Sequence, residues 1–173
     1  MAEKFLKLNA LGVEIEQEAL VSSAGAGDAG KIPALGGDGR LNLNMLPTGI
    51  GPSTKPLMAS EALTAPCMVN IWNDAGTAKV RYADASTAAA GKEAHGFILA
   101  SVASGAMVDV YFEGEATGFS ALTPGNTYYL SNSTPGGVVN TPVTTSGHIL
   151  QRVGVALGTT SLDVELAKPI IRA

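Results

Sequence analysis

Cys67 is the one residue whose type alone invites a catalytic reading, since it is the single cysteine of a 173-residue chain. A nucleophilic thiol needs a positioned base, and the two histidines, His95 and His148, carry no local signature of one. Cys67 lies in the apolar run Cys67-Met68-Val69 and reads as a small buried hydrophobe, with no partner for an intrachain disulfide. Gly25-Ala26-Gly27-Asp28-Ala29-Gly30 has the spacing of a dinucleotide-binding loop. That chemistry needs a strand before the loop and a helix after it, so that the helix N-terminus meets the pyrophosphate. Here Lys31-Ile32-Pro33-Ala34-Leu35 runs straight into Gly36-Gly37-Asp38-Gly39, where no useful helix fits. A flexible Gly/Ala turn is expected, and no cofactor. Glu14, Glu16 and Glu18 recur at period two, which puts them on one solvent-facing side of a strand rather than in an acid/base pair. His95 and His148 have no metal-ligand spacing. The run Asp38 to Asn44 lacks the full calcium-loop pattern, and Asp38-Gly39 reads as a turn. No catalytic, cofactor-binding or metal-binding residue is expected, and no enzyme.

The elements that would carry these residues follow from composition. Hydrophobic residues make up 46% and charged residues 15% of the chain, with 21 glycines and 9 prolines. An average globular domain carries about 25% charged residues. Low charge with frequent turn formers points to many short strands. The net charge is -4, and the 11 lysines and arginines are scattered singly, which argues against a nucleic-acid surface. No apolar stretch is long enough for a signal peptide after Met1-Ala2-Glu3-Lys4, or for a membrane span.

Two textures divide the chain near residue 60. Residues 1–60 read as an extended Gly/Pro-rich N-terminal arm with short strands around Lys4–Leu8, Val13–Glu16 and Ala19–Val21. From Ala24 to Pro56 no regular element survives the glycine and proline density. Ile32, Leu35, Leu41, Leu43, Met45 and Leu46 are spread through this stretch, which no flexible linker requires. They are the partner-contact candidates, docking on a sister subunit, another protein or the chain's own second domain.

Residues 61–173 read as one β-sandwich or β-barrel of about eight short strands. Cys67–Asn73 and Lys79–Tyr82 flank a turn at Asp74-Ala75-Gly76. The Ala-rich stretch Ala83 to Ala94 fits a short helix or a loop. Gly96–Ala100, Met107–Glu113, Thr127–Ser131, Val138–Asn140, Leu150–Leu157 and Ser161–Leu166 follow. Val108, Val110 and Phe112 share one face, as do Leu162, Val164 and Leu166. Gly96–Leu99 with Val108–Val110 echoes Gly154–Leu157 with Leu162–Val164, as if two hairpins formed related halves of one barrel. Residues 116–151 contain no Asp, Glu, Lys or Arg. Such strands are either covered by partners or present a Thr-rich β surface.

The series Gly118-Phe119, Leu122-Thr123-Pro124-Gly125, Tyr128-Tyr129-Leu130-Ser131, Thr134-Pro135-Gly136-Gly137, Thr141-Pro142, Ser146-Gly147 and Gln151 to Leu157 resembles a β domain of tailed-bacteriophage head decoration (cement) and head-fibre proteins. Asp28 to Leu35, Asp38 to Leu41 and Met45-Leu46-Pro47 are similar to the arms that precede such domains. The resemblance covers most of residues 28–166. It implies a virion structural protein, commonly trimeric, made in the host bacterial cytoplasm and placed on the outer capsid surface. Its partners would be the major capsid protein and copies of itself, and its role to stabilise the capsid by bridging capsid subunits. It transfers no catalytic residues. The chain has no collagen-like run or long heptads for a stalk, which favours decoration over a fibre. The alternative is a fibre or receptor-binding module for a host surface glycan, with Trp72, Tyr82, Tyr111, Tyr128 and Tyr129 available for stacking.

Overall fold

The computed structural model describes residues 4–37, 39–46 and 53–173, and leaves the side chain of Leu43 undescribed. Asp38 of the expected Asp38-Gly39 turn and the Gly/Pro punctuation at 47–52 lie outside the described residues. The chain divides into two units, residues 1–51 and 52–173. Strand is the dominant regular structure, and no α-helix occurs among the described residues.

In the first unit, β1 (Lys4–Leu8) pairs antiparallel with β2 (Glu14–Glu18). Asn9 closes the hairpin, its side-chain oxygen accepting the backbone N–H groups of Leu11 (2.9 Å) and Val13 (3.0 Å). Register puts Leu6 opposite Glu16 and Leu8 opposite Glu14. The glutamates do share an exposed face, and the Lys4 ammonium pairs with Glu16 at 2.8 Å. Ala19–Val21 forms no strand of its own; Leu20 makes a single bridge to Pro33.

The second unit opens with β3 (Thr54–Ala59), β4 (Cys67–Asp74), β5 (Thr77–Tyr82), β6 (Gly96–Ile98) and β7 (Met107–Tyr111). They close a five-stranded barrel in the order β3-β5-β4-β6-β7. β3 lies within the stretch expected to be an extended arm, and its Pro56 cannot donate to a ladder. It is tolerated because β3 is flanked by β7 along its length but meets β5 only at Met58 and Ala59. The β4–β5 loop is the two residues Ala75-Gly76, both at positive φ (51° and 89°), which matches a tight hairpin to the strand twist.

β8 (Gly114–Thr117), β9 (Thr127–Leu130), β10 (Val138–Val139), β12 (Arg152–Ala156) and β13 (Ser161–Val164) form an open sheet ordered β10-β9-β12-β13-β8. β11 (Ile149–Leu150) pairs with β14 (Ile170–Ile171). The echoed hairpins therefore sit in different layers, β6–β7 in the barrel and β12–β13 in the sheet, and are not halves of one barrel. The Ala-rich stretch is loop, with one 3-10 turn at Ala88–Ala90.

Two cores explain the hydrophobic patterning. Cys67 and Val69 of β4 and Ile98 of β6 point into the barrel with Leu57, Val80, Val108 and Val110. Met68 and Phe97, opposite each other in register, point outward into a second core with Leu130, Val153, Leu162 and Val164 of the sheet. Strands buried on both faces carry unbroken apolar runs; β7 and β13 keep one face in water and alternate. Phe97 continues outward onto Tyr111, with ring centroids 5.4 Å apart.

Candidate functional site

Cys67 and His95 are committed to structure, while Glu14 and Glu18 stay exposed on β2. Cys67 is 3% exposed, and burial together with the nearby Glu61 carboxylate pushes its thiol up to about 12. A thiol held so firmly protonated is a poor nucleophile at neutral pH. Nδ1 of His95 accepts the Ile71 backbone N–H at 3.0 Å, so the ring proton sits on Nε2, 3.5 Å from a Glu93 oxygen. Its neighbour Asn70, 1% exposed, donates to the Glu93 carbonyl (2.8 Å) and accepts from Arg81 Nε (2.9 Å). Arg81 lies over the Trp72 ring at 4.8 Å, and Trp72 Nε1 donates to Ser60 Oγ at 3.1 Å. This network fastens the Ala-rich loop to β4 and β5. No group of three or more metal-ligating side chains occurs among the described residues.

The glycine loop at 25–30 holds a 3-10 turn, Ala26–Asp28, rather than a strand-to-helix junction. The Asp28 carboxylate accepts from the Ala24 N–H (2.6 Å) and pairs with Lys31 (2.7 Å), and Lys31 holds it below the usual carboxylate range.

The aromatics available for stacking do not form one platform. Tyr111 packs on Phe97, Trp72 holds Arg81, and the Tyr82 hydroxyl accepts the Thr64 N–H at 2.7 Å. Tyr128 is 4% exposed and its hydroxyl accepts the Thr123 N–H at 2.9 Å. Tyr129 stands on β9, half-buried.

The contact candidates divide. Leu41 and Met45 are half-buried and line a hollow of about 250 Å³ with Leu20 and Pro33. Leu46 is also half-buried, whereas Ile32 (49% exposed) and Leu35 (61%) project into water. The exposed apolar set extends beyond these six candidates. None of the described residues of the first unit is buried. Leu6, Leu8, Leu11, Val13 and Val21 are also exposed, and Leu11 reaches 86%. The signal was present as an apolar content that no regular element could bury.

In the second unit the charge-free stretch builds a cleft of about 660 Å³. One wall is the loop Gly118–Leu122 between β8 and β9; the other is β10 and the following residues to Thr145. Leu122 and Val143 anchor the walls in the second core. The Gly118 and Phe119 N–H groups both donate to the Thr160 carbonyl (3.0 and 3.1 Å), and the Leu122 N–H to Thr159 (3.0 Å).

No family model, no curated protein and no solved structure matches the chain.

Proposed function

We propose that the chain is a virion structural protein that decorates a bacteriophage capsid and stabilises it by bridging major capsid protein subunits, acting as a trimer and without catalysis. The observation that carries this reading is the first unit's lack of any buried residue among those described, with large apolar side chains left in water. Covering a Leu or Val side chain is worth about 1.5–3 kcal/mol, and a lone two-stranded hairpin is at best marginally stable. A unit of this kind gains its order from a surface outside itself. The sequence resemblance names that surface as the capsid and sister subunits. The second unit, with two cores of its own, is the rigid body that the first unit attaches.

Such a protein acts by linkage. It binds the assembled lattice better than free capsid subunits and so raises the stability of the shell. Repetition over a symmetric oligomer turns modest contacts into firm attachment. Adding the purified protein to undecorated heads is expected to raise the temperature at which they release DNA, followed with a DNA-binding dye. An unchanged release temperature at saturating protein would refute the stabilising role.

A further inference from the structure

We infer that the cleft between the Gly118–Leu122 loop and residues 138–145 is a binding site for a neutral saccharide. This does not rest on the capsid reading, and it lies away from Trp72 and Tyr82, which are occupied elsewhere. Its volume of about 660 Å³ is within the range of about 300–1,000 Å³ usual for small-ligand clefts.

The chemistry of the lining selects the ligand. No lining residue is charged, and no charged residue occurs anywhere from 116 to 151. Phosphates, sulfated or sialylated sugars and metal ions would find no counter-charge. The polar groups are hydroxyls and carboxamides, which pair with sugar hydroxyls as both donors and acceptors. The hydroxyls of Ser120, Thr144 and Thr145 face water with no partner within the protein among the described residues. Asn140 is exposed beside them, and among the described residues its side chain is held only by the Thr141 hydroxyl, which donates to Oδ1 at 3.4 Å. Phe119, half-buried in the same wall, supplies an apolar surface for the C–H face of a sugar ring.

The backbone adds an independent indication. Ala121 has φ 57°, one of two non-glycine residues at positive φ among those described. The other, Ala75, is required by its two-residue hairpin; Ala121 is in no such turn. A residue in this region persists where its surroundings over-determine it, often at a ligand-binding loop. Here the bonds to Thr159 and Thr160 do so, and they fix the loop before any ligand arrives. A protein partner fits the cleft less well, since interface cores are enriched in aromatic residues, Met and Arg.

The test is a titration of the full-length, isotope-labelled protein with glucose, galactose, N-acetylglucosamine and their disaccharides, read by amide chemical shifts. Inorganic phosphate and sialyllactose serve as charged probes. At least one neutral sugar is expected to shift the amides of residues 119–121, 140, 141 and 143–145 saturably, with a dissociation constant on the order of millimolar. Asn140→Ala is expected to weaken that binding about fivefold. Both Asn140 and Thr144 are exposed, so Thr144→Val provides a second variant that keeps the fold. No shift at these residues with any neutral sugar, binding by both variants as tight as by the unaltered chain, or preference for the charged probes would overturn the proposal.

Discussion

Gly136 enters the second unit at φ 73° and sits so close to the barrel that a Cβ there would lie 2.5 Å from the Tyr82 ring and 2.8 Å from Cys67 Cβ. Its carbonyl accepts the Met68 N–H (2.8 Å) and its N–H donates to Ala83 (2.7 Å), which seats the 134–137 turn on β4 and the end of β5. Gly136→Ala is therefore expected to cost about 1–3 kcal/mol, seen as a lower urea midpoint with an unchanged slope. Cys67, beneath it, should resist thiol reagents in the native protein and react only as the chain unfolds. Its titration also has a sign. The folded thiol keeps its proton to about 12, while an unfolded one releases it near its ordinary 9.0. The unfolded state then binds fewer protons, so stability present below pH 9.0 is lost progressively as pH rises towards 12. Stability curves of the native chain and Cys67→Ala should diverge over that window and run parallel below it. The apolar neighbours of Cys67 pointed towards burial without fixing it, since a strand residue can face either side. The need for glycine at 136 was not, because Thr134-Pro135-Gly136-Gly137 states a turn without naming what the turn packs against.

At the scale of elements, β4 and β6 serve two cores at once. Met68→Ala opens a cavity between barrel and sheet, and a loss of about 2–5 kcal/mol in denaturant unfolding is expected. Gln151 joins the same layers by hydrogen bonds. It is 2% exposed, and its amide accepts the Ala94 N–H (2.8 Å) and donates to the Ala94 carbonyl (2.9 Å), much as a strand neighbour would. Gln151→Ala strips both partners from Ala94, with an expected cost of about 1–3 kcal/mol per stranded group and faster amide exchange at Ala94. Alternation made β7 and β13 readable, and the Ala75-Gly76 hairpin was readable from its turn residues. The unbroken runs of β4 and β6 gave strands but not their partition between two cores. Gln151 split the expected Leu150–Leu157 strand into β11 and β12, a break that a polar residue in an apolar run hints at only weakly.

For the molecule as a whole, the all-β class was legible in low charge and frequent turn formers. The pairing of a closed barrel with an open sheet was not, because strand order depends on contacts distant in sequence. The cleft was foreshadowed by the charge-free stretch, but its concavity required the β8–β9 loop and residues 138–145 to meet. If the first unit exchanges between copies, light scattering should find a mass three times that of the 17.5 kDa chain. A monomer mass would remove the trimer from the account. The central claim is that the first unit is the surface through which the protein attaches to a capsid. The most direct measurement compares co-sedimentation of undecorated capsids with the intact chain and with a chain lacking residues 1–47. The account predicts saturable binding of the intact chain and none by the shortened one, with the barrel and sheet still folding cooperatively. Equal binding by both chains, or no binding by the intact chain, would contradict it.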